Sequence, residues 1–422
     1  MEASLYTAYT DILKQELVPA MGCTEPIAVA YAAALAAKAL PEKPTSVKIT
    51  VSSNIIKNVK SVIVPNTGGL HGLEAAAAAG IIAGDPDRKL LVISQITDLQ
   101  KQEIRSYLDE ADFSVVESYS GEILDILIHL KSENHSSMCR IAGSHTNVVT
   151  MECDGTVTLE KKVELAQDDP HNALESLNIS DIVEFANTVA LDEILPTLQR
   201  QIDCNMAIAR EGLENNYGAR IGQVLLKARG DDPVTKAKAY AAAASDARMG
   251  GCEMPVVINS GSGNQGITTS LPVVIYAQHL GADHEKLIRA LAVSNLVTLH
   301  LKCGIGPLSA YCGAISAGCG AAAGVTYLYG GGYKEIAHTI VNALAINSGV
   351  ICDGAKASCA AKIASAVEAG LLGMEMYRQG SQFFGGDGIV SKGVENTIRN
   401  VAQLASQGMR KTDDEIIKIM LA

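Results

Sequence analysis

The chain has 422 residues, a formal net charge of −12, 48% hydrophobic and 19% charged residues, 4% aromatics and no Trp. That length suits two or three domains, and the acidity argues against nucleic acid or an anionic membrane surface as a partner. With so few aromatics the core must come from Ala, Val, Ile, Leu and Gly, so closely packed helices are expected. Residues 3–18 predict a helix. Residues 25–39 predict a second, with Pro26 at the first helical position after the turn Met21-Gly22-Cys23-Thr24-Glu25. The opening segment has no basic or apolar signal region, so we expect no signal peptide, a reducing cytoplasmic setting, and thiols that are free or metal-bound. Residues 43–65 are rich in β-branched side chains and read as strands. Residues 70–84 read as an Ala-rich helix closed by Gly84. Residues 90–97 and 123–131 read as strands, with a helix at 98–110 between them. Residues 145–152 and 156–165 read as a hairpin around Cys153-Asp154-Gly155.

Residues 1–165 are therefore expected to form an α+β domain with a mostly antiparallel sheet. The polar stretch 166–180 reads as a linker. From Ser180 the pattern is almost wholly helical, which gives an all-α second domain at 177–422. Residues 254–282 and 303–333 carry no Asp, Glu, Lys or Arg and are long enough to span a bilayer. They are also rich in Gly, Ser and Asn and interrupted by Pro307, which suits buried helices and loops around a site better than a membrane. Patches of small apolar residues suggest a homodimer.

From residue 204 onward the chain holds Cys204, Cys252, Cys303, Cys312, Cys319, Cys352 and Cys359. No Cys-x-x-Cys pair occurs, so a zinc ribbon or ferredoxin-type run is excluded. Cys312 and Cys319, and likewise Cys352 and Cys359, stand seven apart and share a helix face. They are either ligand pairs or small core residues. Local context favours ligands. Cys359 lies in the first turn of a helix after the Asp353-Gly354 joint, and Cys312 lies near another helix start, where the positive helix end favours thiolate and an anionic cluster. Three thiolates at two helix entrances suit a cubane cluster with one open iron acting as a Lewis acid.

Asn259-Ser260-Gly261-Ser262-Gly263-Asn264 is a polar loop before an apolar helix. It is either a nest for a carboxylate or an ordinary helix entrance. Cys23, Thr24 and Glu25 sit at a helix N-terminus, where an anion is welcome and a simple cap is the plainer reading. His71 and His145, taken alone, read as hydrogen-bonded loop residues. Lys302, Lys356 and Lys362 flank the cysteine stretches, where they either balance cluster charge, hold a carboxylate, or are solvated.

Five ordered segments carry a resemblance: "MGCTEPIAVAYAAA", "GGLHGLEAAAAAGIIAGDP", "INSGSGNQGITTSLPV", "LSAYCGAISAGCGAAAG" and "NSGVICDGAKASCAAK". Together they resemble, over nearly the whole chain, the L-cysteine desulfidase family, which is related to the iron-sulfur L-serine dehydratases. The resemblance implies a [4Fe-4S] cluster held by Cys312, Cys352 and Cys359, with Cys319 and Cys303 as weaker alternatives. It implies L-cysteine plus water giving hydrogen sulfide, ammonia and pyruvate. Cys23 and His71 become the candidates for acid-base chemistry. Thr24, Ser262, Asn264 and Lys356 become the candidates for substrate binding. The serine dehydratases carry a Ser-Ser-Ser-His run where this chain has Cys23-Thr24-Glu25-Pro26, and their ligand cysteines stand further apart than Cys352 and Cys359. Both departures favour cysteine over serine as substrate. The rival readings are an L-serine dehydratase with the same cluster, a non-catalytic iron-sulfur or thiol sensor, and a transporter-like membrane protein. The site is expected between the two domains, and its occupant is a small amino acid.

Overall fold

The computed structural model describes residues 2–163, 173–306 and 308–421. Pro307 and the first part of the expected linker, 166–172, lie outside them. The first part of the chain runs α1 (Ala3–Glu16), β1 (Pro19–Met21), α2 (Thr24–Ala39), β2 (Ser46–Val51), α3 (Ser53–Val59), α4 (Gly72–Ala83), α5 (Asp98–Glu110), β3 (Asp112–Glu117), β4 (Asp125–Lys131), β5 (Ser136–Ala142), β6 (Val148–Cys153) and β7 (Thr156–Glu160). The rest is helical apart from β8: α6 (Ile179–Thr188), α7 (Leu191–Glu214), α8 (Ile221–Arg229), α9 (Pro233–Met249), β8 (Pro255–Val257), α10 (Gly263–Leu280), α11 (His284–Cys303), α12 (Gly313–Leu328), α13 (Tyr333–Ile346), α14 (Cys359–Arg378), α15 (Val394–Gln403) and α16 (Arg410–Leu421). The α+β class read from the sequence is the observed one.

The sheet has the order β3-β2-β4-β5-β6-β7. Every pair is antiparallel except β2–β3, which is parallel. Alternation buries one face: Val47, Ile49, Val51, Ile126, Ile128, Leu130, Cys139 and Ile141 are all fully enclosed. Helix α2 covers that face across β4 and β5, and α4 packs against α2.

Two expected strands are not strands. Residues 86–91 form a 3-10 turn begun by Pro86 and capped by Asp85. Val92 and Ile93 after it are buried, and Asn66 Nδ2 donates to the Ile93 carbonyl at 2.9 Å. A side chain thus supplies the partner that a sheet ladder would have given. In the 43–65 stretch only 46–51 is a strand. Residues 53–59 are helical despite their β-branched content, because Ile55 and Val59 turn one face into the core.

In the helical part α12 is the central element, packed against α10, α11 and α14. Its uncharged sequence follows from that position. A Cβ on Gly320 would stand 2.6 Å from the Ser294 carbonyl of α11, so only a glycine admits that helix so closely. The uncharged stretches thus contain the core helices α10 and α12. Among the described residues no helix is long and apolar enough to cross a membrane.

Two short pairings join distant parts of the chain. Strand β1 pairs antiparallel with β8, Ala20 opposite Val256. Tyr311 bridges Ile351, with Cys312 N donating to the Val350 carbonyl at 2.9 Å and Cys352 N to the Ala310 carbonyl at 2.7 Å. The first sets the start of α2 beside the start of α10. The second sets the start of α12 beside the loop that leads to α14.

Candidate active site

Four helix N-termini converge on one recess of about 100 Å³. Cys23 precedes α2, Ser262 precedes α10, Cys312 precedes α12, and Cys359 opens α14; all four residues line the recess. None of these helices has a side-chain cap at its N-cap residue, so their positive dipole ends face the recess. The recess adjoins a cleft of about 1180 Å³, with which it shares His145, Ser260, Gly261 and Lys302. The cleft lies between sheet loops at 121–124 and 143–147 on one side and residues 258–261 and 302–306 on the other.

The three cysteines singled out from sequence, Cys312, Cys352 and Cys359, all line the recess. The Cys312 thiol hydrogen-bonds the Cys352 sulfur, which pulls Cys352 below the usual thiol range and pushes Cys312 above it. Lys57, the Gly354 N–H and Lys302 assist the Cys352 thiolate. Burial raises the Cys359 thiol. The loop carrying Cys352 is tightly held. Gly354 has φ of +92°, and a Cβ there would lie 2.3 Å from the Lys57 carbonyl of α3, so no other residue fits without displacing that helix. All ten cysteines are free thiols. Among the described residues no three His, Cys, Asp or Glu side chains converge closely enough to hold a single metal ion.

Facing the thiols is the buried carboxylate of Glu25, from the other part of the chain, with Cys23, Thr24 and His145 around it. Glu25, 8% exposed, accepts from Cys23 Sγ at 2.9 Å and Thr24 Oγ1 at 3.2 Å. His145 Nε2 stands 3.9 Å from Glu25 Oε1. Burial would raise the Glu25 carboxyl, but the facing His145 and the Cys23 thiol outweigh it and hold its pKa at about 2. Burial and the Glu25 charge drive the Cys23 thiol the other way, well up, in keeping with a thiol that donates its hydrogen bond to Glu25.

Other expected residues fall into two groups. Ser262 and Asn264 line the recess with the cysteines. Thr24 sits just behind it on Glu25. His71 is exposed at the N-cap of α4 and bridges Ile63, outside both cavities. Lys356 donates to the Asp353 and Gly354 carbonyls, each at 3.2 Å, and with Lys362 pairs the Asp353 carboxylate. It clamps the cysteine loop. Cys303 lines the outer cleft, and Cys319 is buried in α12.

The structure adds Glu25, His145, Arg248, Gln265 and Tyr311 to the recess. Of the buried side-chain polar atoms without a hydrogen-bond partner among the described residues, five lie on its wall: His145 Nε2, Arg248 Nε, Asn264 Oδ1, Gln265 Oε1 and Tyr311 Oη. Such atoms are costly in an interior, and their concentration here marks a place built to contact a ligand. No local signal in the sequence distinguishes His145 or Arg248. The one lies in a sheet loop and the other in an Ala-rich helix, and only the packing of the two parts makes them neighbours.

Comparison with known proteins places these features in context. Residues 87–418 match the family described as the serine dehydratase alpha chain. The three cysteines fall inside that region, while Cys23 and Glu25 precede it. The chain is 57% identical to a UPF0597 protein of Desulfitobacterium hafniense, over 99% of this chain and 97% of that one. It is 48% identical to a UPF0597 protein of Lachnoclostridium phytofermentans, over 99% and 100%. It is 45% identical to one of Treponema denticola, over 100% and 99%.

Proposed function

Because this chain belongs to the serine dehydratase alpha-chain family, we propose that it is an iron-sulfur-dependent lyase that converts L-cysteine and water to hydrogen sulfide, ammonia and pyruvate. The observation that carries the reading is the meeting of Cys312, Cys352 and Cys359 at one recess, from separate segments of the chain. Thiols spread around a cavity suit a multi-iron group, which takes each thiolate on a different iron. The donor set fits a [4Fe-4S] cluster: three thiols from separate segments line one recess, the Cys352 thiol is lowered by its Cys312 neighbour, and buried Lys302 lies near Cys312 and Cys352. Such a cluster, when bound, supplies a Lewis-acidic iron for a soft sulfur leaving group.

The remaining work belongs to the protein. A base must come within about 3 Å of the substrate Cα proton. His145 Nε2, buried, without a hydrogen bond among the described residues, and at the junction of recess and cleft, is our candidate in place of His71. Glu25 orients the imidazole and stabilises it once protonated. The Cys23 thiol keeps Glu25 fixed by donating to it. The uncapped helix ends favour an anionic occupant. Cysteine is preferred to serine on the ground given from sequence, that Cys23-Thr24-Glu25-Pro26 replaces a Ser-Ser-Ser-His run. The same reading carries a reducing cytoplasmic setting, two domains at 1–165 and 177–422, and a homodimer.

Anaerobic purification with iron and sulfide analysis, followed by assay of sulfide and pyruvate from L-cysteine and from L-serine, tests it. We expect about four irons and four sulfides per chain, faster turnover of cysteine, and loss of colour and activity together in Cys352→Ser. Pyruvate from serine alone would shift the assignment to a serine dehydratase. A coloured protein inactive on both would make it a sensor, and a colourless protein active on cysteine would end the cluster reading.

A further inference from the structure

Arg248 closes helix α9 one residue before its last, and it is 2% exposed. Long cationic side chains are seldom so enclosed unless they face an anion. Among the described residues Arg248 makes no hydrogen bond or ion pair to a carboxylate, and its Nε has no partner. It lines the recess. Its position is set by Gly263, the first residue of α10: a Cβ there would stand 2.3 Å from Arg248 Nε and 2.8 Å from Cζ. The guanidinium therefore lies against the opening turn of α10.

That contact is electrostatically odd. The first turn of an 18-residue helix carries partial positive charge and N–H groups with no intrahelical partner, and Ser262 does not cap it. A cation packed onto that end is unfavourable unless both face the same anion. A planar fork beside a row of backbone N–H groups is the arrangement that holds a carboxylate bidentately. Across the recess stands the ionised Glu25, which disfavours a ligand that is only negative and suits one that also carries an ammonium group.

We propose that Arg248 and the first turn of α10 bind the α-carboxylate of a small zwitterionic amino acid whose ammonium group faces Glu25. This deepens the lyase reading and rests on it for the identity of the amino acid as substrate. Arg248 orients the ligand, so that the β-substituent is presented to the thiol-lined wall while Cα faces His145.

The test is binding without turnover. L-Alanine has both charged groups and no β-leaving group, and propionate and ethylamine each keep one. Calorimetric titration of the full-length protein should show L-alanine binding, weaker propionate binding and no ethylamine binding at matched concentrations. Arg248→Gln should weaken L-alanine and propionate roughly 10- to 100-fold, as loss of a charge-assisted pair predicts. Arg248→Lys, which keeps the charge but not the fork, should fall between. Its melting temperature checks that the fold survives, and it replaces Arg248→Gln if that variant does not fold. Equal L-alanine affinity in wild type and the variant, or a wild type that binds neither L-alanine nor propionate, overturns the assignment. A protein that binds L-alanine through Arg248 yet holds no cluster and releases neither sulfide nor pyruvate supports the carboxylate site and sinks the lyase reading alone.

Discussion

The sheet and the helical part hide their chains from water by different means. Beneath α2 the sheet buries Val47, Ile49, Ile126, Ile128 and Ile141, large apolar side chains that ask nothing of their neighbours but shape. The helical part buries Gln201, Asn205, Asn259, Ser270, Ser294, Asn295 and Thr298 with no exposure at all, and it bonds them to one another. Gln201 and Asn295 exchange amide hydrogen bonds of 3.0 and 2.8 Å. Asn259 Nδ2 donates to Asn295 Oδ1 at 3.0 Å, and Asn205 ties Ser270 to the backbone of β8. Small residues bring the helices close, and close helices leave room for short polar groups that must then satisfy each other. The lesson is that the site grows out of the second kind of core. Asn259 is the last anchored residue before the turn Ser260-Gly261-Ser262 that opens onto the recess.

The sharpest way to break this contrast is Asn295→Leu. It leaves both ends of the Gln201 amide unpaired in a dry interior, while the Asn259 side chain keeps only its bond to the backbone carbonyl of residue 295; at roughly 1–3 kcal/mol for each unsatisfied group we expect a loss of about 4 kcal/mol in urea unfolding. A cost under about 1 kcal/mol would mean that the network only fills space. At the seam between the two parts, Glu25→Gln should cost on the order of 3 kcal/mol at neutral pH. The folded carboxyl sits at about 2 against an ordinary 4.5. Its contribution is therefore complete above about pH 4.5 and fades as pH falls toward 2. Melting curves of wild type and Glu25→Gln should converge through that window; a gap that stays constant to pH 2 contradicts the ionised assignment. The smallest effect belongs to the apolar core. Ile128→Val should cost about 1 kcal/mol with no change in ligand binding, and a larger cost would show the sheet to be as exacting as the helices.

Much of the molecule is legible in one dimension. Pro26 and the alanines after it announce α2, the 148–160 hairpin follows from alternation around Asp154-Gly155, and the capping pair Thr97 and Gln100 opens α5 where expected. Strands that depend on distant partners were less visible. β1 and β8 are three residues each and exist only because they pair with each other. The 90–97 stretch has strand composition but finds a side-chain partner instead of a ladder. Cys312, Cys352 and Cys359 stood out by context. His71 and Lys356 looked equally apt, and they proved to be a helix-entrance residue on the surface and a clamp on the loop.

What the sequence determined by itself is therefore local: which segments coil, which alternate, where small residues admit close helices, and which thiols sit at helix starts. Those properties depend on neighbours within a few positions along the chain. Only the tertiary structure decided that four uncapped helix ends face one recess, that His145 looks at Glu25, and that Arg248 lies against Gly263 with its Nε unpartnered among the described residues. Those facts depend on two short pairings, β1 with β8 and Tyr311 with Ile351. Their partners lie tens to hundreds of residues apart, beyond the reach of any local periodicity.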